Sequence, residues 1–391
     1  MLKLVVQKKM SKTEKIVSFI NTNVFFKEFT FSRNEFVTPD GKSELQLADN
    51  VVWLDDIPLI YQIKDRDIEA KGSETKWFNG KVQKKAVKQI KGSLNYFNIY
   101  KDITIINERG HSLNICEANL TKAKKIIVYT PTNALPDEKR FLKFHRSKTV
   151  GLIHLFHFED YNGICKFLFT PSEIDEYLTF RESLYEKHEQ KLNSLPEQYV
   201  LGHFLESTDT ENIDLAYLDN VRKLKKNESE FEISFIIDLF KDRIIKMGND
   251  NDYYFIIKEI AKLDRVELKA FKDRFKLSLE KAKTQTFVRP YRMTSIRTNC
   301  GFVFIPIELK ESSVWKNVLL NLTTAHKYEQ KLKKCVGMIV CHNSKQKLYD
   351  INWSYIENEW LYNEVLEKLL KENNPFRNVS LKKENKYFFN N

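Results

Sequence analysis

Glycine and proline are scarce, 11 and 9 among 391 residues, which excludes collagen-like, linker-rich and glycine-loop-dependent architectures. No stretch approaches the roughly 18 consecutive apolar residues that a membrane helix needs. The N-terminal MLKLVVQKKM holds too short an apolar run for a signal peptide and turns charged at once, so a soluble, cytoplasmic protein is expected. Cys116, Cys165, Cys300, Cys335 and Cys341 are odd in number, scattered and without a CxxC pair, which leaves neither a disulfide frame nor a zinc ribbon. Gly-x-Ser-x-Gly and His-Glu-x-x-His are missing. Gly41-Lys42-Ser43 has the look of a phosphate-loop tail, but Phe36 stands where a Walker A motif needs glycine. His154 and His157 lie on an apolar run with no metal-spaced partners and read as core histidines.

What is present argues for packed interiors. Hydrophobic residues make up 42%, with 28 Phe and 17 Tyr, which excludes a wholly disordered chain. The length calls for two or three domains. Against 53 acidic residues stand 64 basic ones, a net charge of +11, so a polyanion is the first partner to consider. Codon bias toward lysine produces the same excess, and charge alone does not choose between them.

A capping box, Ser11 with Glu14, opens a helical pattern through Ile16, Val17, Phe19 and Ile20. Residues 49–65 read as two strands joined at Asp55-Asp56, both turn formers. Over 81–98 the spacing predicts a helix whose apolar stripe is Val82, Ala86, Val87, Ile90 and Leu94. Strands follow at 125–130 and 150–158, then helix from about 159 to 191, broken at Thr170-Pro171. The expected class is α/β. An N-terminal domain over 1–190 has a central mixed sheet flanked by helices, 191–285 is mainly helical, and 286–391 is a small α+β part. In that last part strands are expected at 300–309 and 336–342, and helices at 314–334 and 355–371.

The hairpin carries the chemistry. Strand side chains alternate, so Gln62 and Lys64 share one face, and a fold at Asp55-Asp56 brings Asp49 to the end of the hairpin that carries them. An acid, an amide oxygen and an ammonium then converge. Hard divalent cations take oxygen ligands, and a nearby lysine orients or helps deprotonate an attacking water while stabilising charge on a phosphate. Phosphodiester hydrolysis needs those parts.

Asp49, the Gln62-Ile63-Lys64 tripeptide and the following helix with Gln89 resemble the PD-(D/E)xK nuclease superfamily, in the Mrr-like branch where Gln replaces the acid of the ExK motif. The match spans roughly residues 11–130 and implies a restriction-endonuclease-like fold. It further implies an Mg²⁺-dependent (or Mn²⁺-dependent) endonuclease acting on DNA, with RNA as the other candidate substrate, in restriction or anti-phage defence. Asp49 and Gln62 would hold the metal, Lys64 would position the nucleophile, and Glu14 stands where the family often places a further acid from its first helix. A homodimer or a defence-system partner protein is the implied assembly. Glu14 serves equally as the N3 member of the capping box, and Glu44 is the other acid in reach by sequence.

A basic stretch supplies the second signal. From Lys71 to Lys91 there are seven lysines against the single acid Glu74. Lys81, Lys84, Lys85, Lys88 and Lys91 recur at helical steps and form a nucleic-acid-binding face with Gln89 beside it. The alternative to a nuclease is a non-catalytic module on the same fold that holds nucleic acid or a protein through this face.

Overall fold

The computed structural model describes residues 10–55, 57–207, 209–215, 218, 221, 233–238, 240, 251, 253–378 and 386–387. By contact density the chain divides into two compact units, Met1–Lys226 with Tyr387–Asn391, and Asn227–Lys386. Helix Glu197–Glu206 belongs to the first unit and helix Arg265–Thr284 to the second. Among the described residues no helix is long and apolar enough to cross a membrane.

In the first unit α1 (Lys12–Phe25) starts at Ser11, and both halves of the capping box form. The strands are β1 (Thr30–Phe31), β2 (Glu35–Val37), β3 (Glu44–Gln46), β4 (Asn50–Leu54), β5 (Ile57–Asp65), β6 (Thr104–Ile106), β7 (Ser112–Asn114), β8 (Lys124–Thr130), β9 (Phe144–Ser147) and β10 (Gly151–His157). Six of them make a central mixed sheet in the order β1-β4-β5-β8-β10-β9, while β2-β3 and β6-β7 are small separate ribbons. β4 and β5 form the antiparallel hairpin, with Asp55 in the left-handed region (φ 57°) that its turn requires. From β5 the chain crosses through a long helix to β8, which lies parallel to it.

That crossover helix, α2, runs over residues 74–99 and is capped by Ser73. Its middle, Phe78–Ala86, is π-helical. A wider turn keeps side chains four residues apart in line, so Phe78, Val82 and Ala86, and then Ile90, all bury against Ile127, Tyr129, Ile153 and Leu155 of the sheet. The other face of the sheet buries Tyr61, Ile63, Ile126 and Val128 against α1 and against α3 (Phe158–Phe167) and α4 (Pro171–Leu192). Thr170 caps α4 with Pro171 at its first position, as expected. Behind β10, His154 is fully buried and bonds Glu182 at 2.9 Å and Arg181 at 3.2 Å, a structural histidine.

The second unit has its own four-stranded sheet near the C-terminus. β11 (Tyr291–Ser295), β12 (Cys300–Ile307), β13 (Lys334–Asn343) and β14 (Leu348–Glu357) lie in chain order, with only β12 and β13 parallel. Helices α5 (Arg265–Thr284) and α6 (Trp315–Glu329) cover its two faces, α5 through Phe271 on Phe302 and Phe304, α6 through Leu319 beside Val303 and Ile305. Gly337 lets α6 sit close, since a Cβ there would meet Thr323 Oγ1 at 2.0 Å. One expectation is corrected in this unit, and one strand is new. Tyr355 is not helical, because β14 stays paired with β13 through Glu357, and the helix begins at Glu364. Strand β11 was not anticipated: its alternation is only two apolar residues long, Tyr291 and Met293 against Arg292 and Thr294, and pairing with β12 fixes it. Both units repeat one order of elements, helix, antiparallel strand pair, crossover helix, parallel strand.

Candidate functional site

Asp49 stands one residue before β4. Its N–H donates to Tyr61 O at 3.1 Å, which sets it across from Gln62. On β5 the alternation turns Gln62 and Lys64 toward the α2 side of the sheet and Tyr61, Ile63 and Asp65 toward α1. Lys64 Nζ donates to Asp49 Oδ2 at 2.7 Å, to Gln62 Oε1 at 3.1 Å and to Ile63 O at 2.9 Å. The N–H of Ile63 donates to the same Asp49 oxygen at 2.8 Å. Asp49 and Gln62 are buried, 4% and 2% exposed, and Lys64 is partly exposed. The structure thus brings Asp49, Gln62 and Lys64 together around one ammonium.

A buried polar chain holds this hairpin from behind. Tyr61 and Tyr161 approach hydroxyl to hydroxyl at 3.0 Å, Tyr161 donates to Asn21 Oδ1 at 2.5 Å, and Asn21 Nδ2 donates to Asn50 Oδ1 at 2.8 Å. Burial pushes both phenols far above their usual range, so they act as neutral hydrogen-bonding groups. Asn50 adjoins Asp49, and this chain fixes the backbone that aims the carboxylate. On the opposite face of β5 Asp65 accepts from the N–H of Thr13 at 3.1 Å, an acid at the N-terminus of α1, where the helix dipole favours it. Sequence reasoning passed over Asp65. Its signal was available, since it follows Lys64 on the α1-facing register.

Glu14 lies in the first turn of α1, where its Oε2 accepts from Ser11 N at 2.5 Å and completes the capping box. Glu44 is exposed on the β2-β3 ribbon. Asp55 serves the turn, and Asp56 lies outside the described residues.

Lys81, Lys84, Lys85, Lys88 and Lys91 are all exposed along α2, and among the described residues none of them forms an ion pair. Ser93 donates its hydroxyl to Leu47 O, which seats this part of α2 over the segment that leads to Asp49. Gln89, one turn earlier, has its Oε1 buried with no hydrogen-bond partner. An orphaned acceptor there would be satisfied by a donor or a cation.

The donor set suits a hard divalent cation. Two oxygens, one from a carboxylate and one from an amide, already bond one cationic centre, the ammonium. Mg²⁺ commonly takes only one or two protein carboxylates and fills its octahedron with water and substrate phosphate. Among the described residues no group of three or more His, Cys, Asp and Glu is placed to hold a metal ion. A cation at this centre would have Asp49 as its charged ligand and Gln62 as its neutral one. Comparison with protein-family models, curated proteins and solved structures finds no match to this chain.

Proposed function

We propose that the first unit is a metal-dependent nuclease of the PD-(D/E)xK type, in the QxK form, with a restriction-endonuclease-like fold, that hydrolyses phosphodiester bonds of DNA. The observation that carries this reading is the Lys64 ammonium held between Asp49 Oδ2 and Gln62 Oε1 on an antiparallel hairpin that leads into a lysine-faced crossover helix. Asp49 and Gln62 would hold Mg²⁺ or Mn²⁺, which when bound supplies positive charge against the phosphorane-like transition state. Lys64 orients the attacking water and stabilises the developing negative charge. The lysines of α2 grip backbone phosphates without reading bases. A role in restriction or anti-phage defence, a homodimer or a defence-system partner, and a cytoplasmic location go with this proposal, and RNA is the other candidate substrate.

The alternative, a binding module without catalysis, is favoured by one observation: among the described residues no group of three or more His, Cys, Asp and Glu gathers as a metal site, whereas a metal nuclease often has two or more carboxylates at its centre. Purified protein with supercoiled plasmid separates the readings. Cutting with Mg²⁺, none with EDTA, and loss of cutting in Asp49→Ala and Lys64→Ala support the nuclease. Undiminished cutting in either variant refutes the site, and tight DNA binding with no cutting under any divalent ion supports the binding module.

A further inference from the structure

An open groove of about 630 Å³ lies along the flank of α2 that faces the far edge of the sheet. Lys84, Lys88 and Lys91 line it from the helix, Lys139 from the short turn Asp137–Arg140, and His145 and Thr149 from the edge strand β9 and the residues after it. Among the described residues no acidic one lines it. Among the described residues none of these four lysines has an ion-pair partner, so their charges face one another across one space. Burial lowers the His145 imidazole below its usual value, and it enters the groove as a neutral hydrogen-bonding group near pH 7.

Such a space calls for an anion whose charges repeat at short intervals. Among the described residues no Phe, Tyr or Trp lines it and the His145 imidazole is its one ring, so recognition would rest on sugar and phosphate far more than on stacked bases. Its place relative to Asp49, Gln62 and Lys64 follows from the strand order. β9 is three strands from β5, and at about 4.8 Å per strand that is roughly 14 Å. Lys81 and Lys85, exposed on α2 but outside the groove lining, extend positive charge along the same helix.

We propose that this groove is a second, backbone-binding subsite that holds one strand of the DNA away from the cutting centre. Lys139, His145 and Thr149 form the wall opposite the basic helix. The inference rests on the nucleic-acid reading given above for its ligand, but not on catalysis. It makes the binding sequence-independent and strongly salt-dependent.

The test is fluorescence anisotropy of a labelled DNA duplex with the full chain in EDTA, over roughly 50 to 200 mM salt. A Lys88→Gln, Lys139→Gln double variant, checked for folding by circular dichroism, is compared with wild type and with a Lys310→Gln, Lys347→Gln control. The double variant is expected to bind at least tenfold more weakly, with a salt slope shallower by about 1.8, or 0.9 for each of two lost phosphate contacts. The control should match wild type. Equal affinity and slope in the double variant overturn the subsite, and cutting by the wild type in that case leaves the nuclease reading intact. If no protein cuts but the double variant loses affinity, the subsite stands and the nuclease reading falls. Micromolar binding of a nucleoside triphosphate that depends on Lys139, with DNA affinity unaffected by the double substitution, makes the groove a nucleotide site and overturns the proposal.

Discussion

Replacing Lys64 by methionine, which keeps the length and removes the charge, should improve metal binding and destroy cutting at once. The ammonium lies 2.7 Å from Asp49 Oδ2 and 3.1 Å from Gln62 Oε1, so a divalent cation that uses both oxygens must displace it. Two unit charges 4 Å apart repel by about 1 kcal/mol in water-like dielectric, and a doubly charged ion doubles that to about 2 kcal/mol. Partial burial of Lys64, whose side chain is 12% exposed, makes this a lower bound. At about 1.4 kcal/mol per decade, Mg²⁺ or Mn²⁺ should bind Lys64→Met more than tenfold tighter than wild type by titration calorimetry. Plasmid cutting by the same preparation should fall by about two to three decades, as when a transition-state donor is removed. In metal-free buffer the variant takes the Lys64 ammonium away from the buried Asp49 carboxylate, a loss of up to about 3 kcal/mol that the remaining bond from the Ile63 N–H softens, and added Mg²⁺ should restore much of that stability. Metal affinity that is unchanged or weaker, or cutting that survives, would refute the arrangement.

Three other outcomes follow from the same geometry. Glu14→Gln keeps the capping bond to Ser11 N, since glutamine serves at that position, and should cut within a few-fold of wild type; a loss of a hundredfold would make Glu14 a ligand. Gln89→Leu removes an orphaned buried acceptor, so the thermal midpoint should hold or rise while plasmid cutting drops; a lower midpoint with full cutting would place Gln89 in the packing alone. Burial holds His154 down to about 4 from an ordinary 6.5, while Glu182, against its own burial, is drawn down from 4.5 to about 2 by His154 and Lys124. The folded state then binds fewer protons than the unfolded one, so stability is full above pH 6.5 and falls through His154 toward pH 4, then through Glu182 below pH 4.5. The urea midpoint should be lower at pH 5 than at pH 7, and the difference smaller in His154→Gln; an equal difference in that variant contradicts the assignment.

Local rules made the centre of the site legible. The period of two along β5 placed Gln62 and Lys64 on one face, and a hairpin folded at Asp55 brought Asp49 to them, both short-range consequences of the chain. The same local logic gave the α1 capping box and the Thr170-Pro171 start of α4. What stayed hidden depends on strand order. His145 and Thr149 come beside Lys88 only because β9 returns antiparallel to the far edge of the sheet, and no spacing in the sequence encodes that neighbour. Glu14 looked the same by sequence whether it capped a helix or held a metal, and the structure engages it in the cap. Tyr355 was misread because Trp353 and Trp360, seven residues apart, suit one helix face, and ten paired residues with β13 decided for the strand.

The central claim is that Asp49 and Gln62 share a divalent cation. Crystals soaked in Mn²⁺ and measured for its anomalous scattering test it most directly. The account predicts one peak within about 2.0 to 2.3 Å of both Asp49 Oδ2 and Gln62 Oε1, with the Lys64 ammonium moved off the pair. An Lys64 ammonium still seated between those oxygens, with no manganese beside them at saturating concentration, would contradict it.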